Sequence, residues 1–303
     1  MKAVKKEQAT WTALKTISSA DSARLKKKLN VHPIVLKELK EPSVRTKVEV
    51  YENYLFMVCQ FAVYNPLEKV SQKAEIDFII SKNEVISIQY EPLEIIDEIK
   101  QQFERKDPLA KADICENSLT LTHYLIQSLL SYSVRQLHHI GKKVDEVSAQ
   151  LFADREHEIL RDLSYLKRDI SEYRIIFRSQ GPLFNSLLEA GMNFWGKESI
   201  PYINDLIADH AKIANLLEDY RLAVIDFEQT NTQLLNARTN QVVKTFTILA
   251  FSTFPLTLVA ALLSIPTNTK PIIGMPNDFW IIVGTMGIAL LTMFAIFKIK
   301  KWL

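Results

Sequence analysis

Residues 245–265 read TFTILAFSTFPLTLVAALLSI, and residues 279–297 read FWIIVGTMGIALLTMFAIF; neither stretch carries a charge. About 20 helical residues cross the roughly 30 Å hydrocarbon core of a bilayer. Each stretch is therefore long enough to span, and together they predict a C-terminal helical hairpin in a membrane. Arg238 and Lys244 precede the first stretch, and Lys298, Lys300 and Lys301 follow the second. The connecting residues, 266–278, hold one lysine and one aspartate. The bias of basic residues toward the cytoplasmic side predicts both termini inside the cell inner (plasma) membrane and the loop outside. Trp280 and Trp302 flank the second stretch as interfacial anchors. Gly284 and Gly287 predict close packing of the second span on the first.

Upstream of residue 240 the composition turns to Lys, Glu, Asp and Arg, and the whole chain nets only +2. That balance argues against a nucleic-acid surface. Cys59 and Cys115 form no metal-type spacing and are expected to be reduced. The first residues, MKAVKKEQATWTALK, contain lysines but no apolar core, so they do not read as a signal peptide. No nucleophile–base pair, glycine-rich phosphate loop or paired-cysteine motif occurs, so neither an enzyme nor a resident cofactor is expected.

Residues 1–115 predict an α/β domain. ADSARLKKKLN and HPIVLKELK read as short helices, the second with Pro33 in its first turn. RTKVEVYE, YLFMVCQFAVY, EIDFII and EVISIQY are β-branched and aromatic and read as strands. PLEIIDEIKQQFERK reads as a helix starting near Pro92. Residues 116–200 carry apolar positions at three and four spacing and predict a hairpin of two long helices, the second stopping near Gly191. A stalk helix from Pro201 meets no breaker before Pro255 and runs into the first span, so 201–265 predicts roughly 100 Å of helix at 1.5 Å per residue. Its polar lower half needs partner helices. The loop 266–278, the second span 279–297 and a basic tail 298–303 complete the division.

One line of residues keeps a constant face along the upper stalk: Asn240, Val243, Phe246, Ala250, Phe254 and Thr257. It starts with an amide, continues apolar and ends with a hydroxyl. Such spacing suits a helix-packing seam. It also suits an apolar constriction made by several copies around an axis, of the kind that gates by dewetting. Pro255 removes a helical hydrogen bond, and Thr253 and Thr257 are the nearby hydroxyls that could compensate.

His123, His138, His139, His157 and His210 make no zinc pattern; the adjacent pair 138–139 cannot share a helix face. The acidic residues Asp145, Glu146, Asp154, Glu156, Glu158, Asp162, Asp205, Asp209, Glu218, Asp219, Asp226 and Glu228 read as solvated helix faces, or as a regulatory cation site between copies.

Several segments together resemble the CorA family of divalent-cation channels. TNQVVKTFTILAFSTFPLTLVAALL is similar to the family's stalk–span junction, and YINDLIADHA to its early stalk. LNVHPIVLKEL with VRTKVEVYENYLFMVCQF resembles its N-terminal helix and strand pair, and KIKKWL its basic tail. The resemblance implies a homopentamer with a cytosolic funnel, a pore lined by the first span and Mg²⁺ as the usual ion. It carries the pore positions onto Asn240, Val243, Phe246, Ala250, Phe254 and Thr257.

The family's Gly-Met-Asn signature is missing. Counting from Pro255, its positions are Ser264, Ile265 and Pro266. Mg²⁺ keeps its waters, so a filter for it must offer oxygens to a hydrated ion. Asn268, Asn277 and Asp278 are the nearby candidates; a ring of Asp278 would attract cations, but Lys270 offsets it. Three functions follow from the resemblance and its gap: a Mg²⁺ channel, a channel for Zn²⁺, Co²⁺ or Ni²⁺, or a non-conducting membrane scaffold. Regulatory Mg²⁺ between copies is implied, with its ligands unassigned.

Overall fold

The computed structural model describes residues 8–65, 68, 70–91, 93–151, 156–265, 273–274 and 276–300. It divides into two units, Met1–Glu228 and Gln229–Leu303. The first unit is built on a five-stranded sheet in the order β1-β5-β4-β3-β2. These strands are β1 (Thr10–Leu14), β2 (Lys47–Val50), β3 (Leu55–Asn65), β4 (Val70–Ile80) and β5 (Glu84–Gln89). Strands β2 to β5 pair antiparallel in sequence order, as their short connections require. Strand β1 pairs parallel to β5, with Trp11 opposite Val85. The sequence reading anticipates β2 to β5 but not β1, whose five residues find their partner more than seventy residues downstream.

Strand parity gives the sheet two covered faces. On one, Phe56, Val58, Ile79, Ile86 and Ile88 pack with Leu25, Val31, Val35 and Leu39. Those four come from α1 (Ser19–Leu29), α2 (Pro33–Glu38) and their flanks. Ser18 and Asp21 form a reciprocal capping box at the start of α1. The opposite parity, including Leu55, Met57, Ile76, Phe78 and Ile80, is equally inaccessible. There α5 (Ser118–Leu151), α6 (Glu156–Arg178) and α7 (Gln180–Phe194) lie against the strands. In chain order, α3 (Glu94–Arg105) and α4 (Pro108–Ile114) come between β5 and α5.

The sequence joins α6 and α7 into one helix and stops it near Gly191; the structure breaks it at Ser179 and ends it at Phe194. Pro182 has no amide for the Arg178 carbonyl, so α6 cannot continue through it. The true stop is Gly196, whose φ of 91° lies in the left-handed region. Trp195 and Gly196 donate back to the Gly191 and Met192 carbonyls, closing α7. A Cβ on Gly196 would meet nothing within 4 Å. The cost of Gly196→Ala is therefore purely conformational, about 1–2 kcal/mol, read as a lower urea midpoint with an unchanged slope.

Helix α8 (Ser199–Ser264) is the predicted stalk and first span, and α9 (Asp278–Ile299) is the second span. The lower part of α8 presents Ile203, Leu206, His210, Ile213, Leu217, Tyr220 and Val224, in alternating steps of three and four. Five of these, all but His210 and Tyr220, are at most 3% exposed. This is a coiled-coil seam. His210 stacks on Phe177 of α6 at 4.6 Å, and the Tyr220 hydroxyl lies over Gly141 of α5. Lys167 pairs with Glu228 at 2.9 Å and Arg174 with Glu218 at 3.9 Å. The polar lower half is thus held by the partner helices that its sequence demands.

A buried polar pin fastens α6 to the sheet. Asp169 is fully inaccessible and accepts from the Ser71 amide at 2.8 Å and the Ser71 hydroxyl at 2.7 Å. Lys143 of α5 stands 3.5 Å from its other oxygen and donates to the Tyr64 hydroxyl at 3.0 Å.

Candidate ion pathway

The upper part of α8 and α9 belong to the second unit. Both pass the length and apolarity expected of membrane spans. Within one chain each is covered along one face. On α8 that face carries Ile248, Ser252, Pro255, Leu256 and Leu263; on α9 it carries Ile282, Met286, Leu290, Met293 and Phe297. Ser252 is the most covered, at 5% exposure. The stripe lies elsewhere. Asn240, Val243, Phe246, Ala250, Phe254 and Thr257 are all exposed, with Phe246 at 66% and Phe254 at 70%. Ala250 and Phe254 sit about 200° round the helix from Ser252, on opposite sides of it by count. The stripe is therefore not a seam within the chain.

The polar groups of the first span are satisfied locally. The Thr247 hydroxyl donates to the Val243 carbonyl at 2.8 Å, and Ser252 to Ile248 at 2.7 Å. Thr253 donates to Leu249 and Ala250, and Thr257 to Thr253 and Phe254. Neither threonine reaches the Phe251 carbonyl that Pro255 leaves without its helical amide, which corrects the compensation expected from sequence. A second correction concerns Gly284 and Gly287: a Cβ at either would meet nothing within 4 Å. The close approach to the first span is not made within this chain.

Ser264 ends α8, its hydroxyl donating to the Ala261 carbonyl at 2.8 Å, and Ile265 follows at 48% exposure. Pro266 and Asn268 lie outside the described residues, as do Lys301 and Trp302. The start of α9 separates the two remaining candidates. Asn277 takes a left-handed conformation, φ 69°, which asparagine tolerates. Its carbonyl accepts from the Trp280 and Ile281 amides, at 3.0 and 3.1 Å, while its side chain makes no cap bond. The Asp278 carboxylate is engaged instead: it accepts from the Gly274 amide at 3.1 Å and the Phe279 amide at 2.7 Å. Asp278, expected as an anionic ring, stands in the first turn of α9, where its charge suits the positive end of the dipole. The sequence does not separate these neighbours because the left-handed turn that does so is a property of the folded loop.

In the first unit, several of the histidines and acids read from sequence have partners of their own, while Asp154 and the side chains of Glu156, His157 and Glu158 lie outside the described residues. His123 lies 2.9 Å from Asp205, Asp209 pairs with Lys212, and Glu218 takes Arg221. His210 faces the Phe177 carbonyl at 3.2 Å, and burial lowers its pKa despite that bond. Among the described residues no three His, Cys, Asp or Glu side chains converge as a metal site. Burial also raises the Cys59 thiol well above its ordinary value, leaving it inert.

Comparison with known proteins adds the rest. The family model described as "CorA-like Mg2+ transporter protein" matches residues 6–301. A relative from Thermotoga maritima, "Cobalt/magnesium transport protein CorA", is 24% identical over 295 residues, covering 97% of this chain and 83% of its own. Among solved structures, the CorA magnesium transporter of Methanocaldococcus jannaschii superposes with a TM-score of 0.83 at 15% identity, covering 97% of this chain and 91% of that one. The cytoplasmic domain of ZntB from Vibrio parahaemolyticus superposes at 0.53 and 16% identity, over 75% of this chain and 88% of that one.

Proposed function

We propose, on the premise that this chain belongs to the family of CorA-like Mg²⁺ transporter proteins, that five copies surround a pore lined by α8. Divalent cations, Mg²⁺ first, pass through it down their electrochemical gradient. The observation that carries this reading is the stripe from Asn240 to Thr257, uncovered and opposite the covered face of the span. A chain with two spans encloses no pore, so the stripe has a shared use only in an oligomer. The basic residues at Arg238, Lys244, Lys298 and Lys300 favour the first unit and both termini on the cytoplasmic side of the plasma membrane.

Purified protein in liposomes is expected to admit Mg²⁺, as reported by an entrapped dye, with and without Mg²⁺ on the side of the first unit. Absence of divalent flux in both conditions overturns transport and leaves the scaffold reading. Competition among Mg²⁺, Zn²⁺, Co²⁺ and Ni²⁺ in the same assay ranks the ions.

A second reading, a different preferred ion, is favoured by Ser264-Ile265-Pro266 at the signature positions. The Asn277 carboxamide, which caps no helix, then supplies the oxygens at the outer mouth, since a hydrated ion is held through its waters. Asn277→Ala is expected to raise the half-saturating Mg²⁺ concentration about tenfold, about 1.4 kcal/mol of binding. Asn277→Asp is expected to lower it. Unchanged saturation in both variants removes Asn277 from the pathway.

A further inference from the structure

The face of the sheet that meets α1 and α2 has a polar island at one end of its apolar cluster. Asp77 is its innermost member. It is 0% exposed, and its neighbours across the strands are Val58 and Ile88, both in the core cluster. Its Oδ2 accepts from the Tyr90 hydroxyl at 2.6 Å. Its Oδ1 has no hydrogen-bond donor among the described residues.

The surrounding charges do not neutralise it. Glu75, two residues earlier on the same face, is satisfied by the Ser43 amide at 2.5 Å and the Gln60 amide at 3.0 Å. Glu38 of α2 also acts on Asp77 with negative sign, as Glu75 does. The cation whose charge reaches Asp77 is Lys47 of β2, and it is committed to Glu38 at 2.7 Å and Glu49 at 2.9 Å. Cys59 of β3 feels both acids and stays a neutral thiol, and Tyr90 stays a neutral phenol because burial raises its pKa. A fully buried carboxylate with one donor, an open lone pair and no cation of its own is costly.

We propose that Asp77 is a proton-binding site inside the α/β domain, exchanging one proton with solvent and thereby making the stability of that domain depend on pH. Burial, opposed by the Tyr90 bond, lifts the carboxyl from 3.8 to about 7. Because the folded value is raised, the protonated form is the one the fold favours. Its contribution is full below 3.8 and is lost as pH rises through about 7.

The test uses the full chain in detergent. The unfolding constant of the wild type is expected to rise up to about tenfold per pH unit between roughly pH 5 and 7. In Asp77→Asn, which keeps an oxygen for Tyr90, that rise is expected to vanish. In Tyr90→Phe, which removes the bond favouring the ionised form, the window is expected to move to higher pH. Should Asp77→Asn fail to fold, infrared difference spectra of the wild type across the window decide: a buried carboxylic acid band that disappears with rising pH supports the site. Equal pH dependence in wild type and Asp77→Asn overturns it, as does a wild-type spectrum without that band or a window unmoved in Tyr90→Phe.

Discussion

Phe254→Ala is expected to raise Mg²⁺ flux at least about tenfold over the wild type in the same liposomes, equivalent to about 1.4 kcal/mol off the barrier. The argument starts from exposure. Phe254 leaves 70% of its surface uncovered in one chain, on the side of α8 away from Ser252. In the proposed pentamer, five phenyl rings at one level would make an apolar constriction that disfavours water and so raises the barrier for an ion that keeps its waters. Alanine widens that level and lets water in. The substitution leaves the local helix intact, because the Thr257 hydroxyl bonds the Phe254 carbonyl rather than its ring. Leu249→Ala provides the contrast: it is 59% exposed but about 140° round the helix from Phe254. Its flux is expected to match the wild type, as read by dye-reported uptake in liposomes. Equal flux in all three proteins would mean that the stripe faces lipid.

What the sequence disclosed depended on how local each signal was. The spans and the stalk are legible because length, apolarity and three–four spacing act within one helix: α8 runs from Ser199 to Ser264 and α9 from Asp278 to Ile299. Strands β2 to β5 are legible for the same reason, since hairpin neighbours share a short connection. Strand β1 is hidden because its partner β5, adjacent in the sheet, lies more than seventy residues away in sequence. The break at Ser179 is written in Pro182, but an unbroken apolar period masks it.

The site divides along the same line. The stripe is a periodic property, whereas the choice between Asn277 and Asp278 depends on a left-handed residue and on which side chain the α9 amides capture. Asp77 was invisible because one aspartate among isoleucines and a phenylalanine in EIDFII reads as the polar phase of a strand. Both faces of this sheet are covered, so the polar phase has no solvent to meet.

Asp169→Ala is expected to destabilise the first unit by roughly 3–5 kcal/mol, the range found when one partner of a buried charged pair is removed. Asp169 is 0% exposed and takes both the amide and the hydroxyl of Ser71. Alanine leaves those two donors buried without an acceptor, at about 1–3 kcal/mol each for an unpaired group. It also strands the Lys143 ammonium, which stands 3.5 Å from the lost carboxylate. That part of the loss is the smaller one, because Lys143 keeps the Tyr64 hydroxyl at 3.0 Å and rests over its ring at 4.4 Å. Asp169→Asn separates the contributions. Its carbonyl oxygen can still serve Ser71, so only the charge is lost, and a decrease of about 1–2 kcal/mol is expected. Urea unfolding in detergent, followed by tryptophan fluorescence, measures both. Equal losses in the two variants would place the stabilisation in the Lys143 charge and not in the Ser71 bonds. A loss below about 1 kcal/mol in Asp169→Ala would mean that α6 is held on the sheet by its apolar face alone.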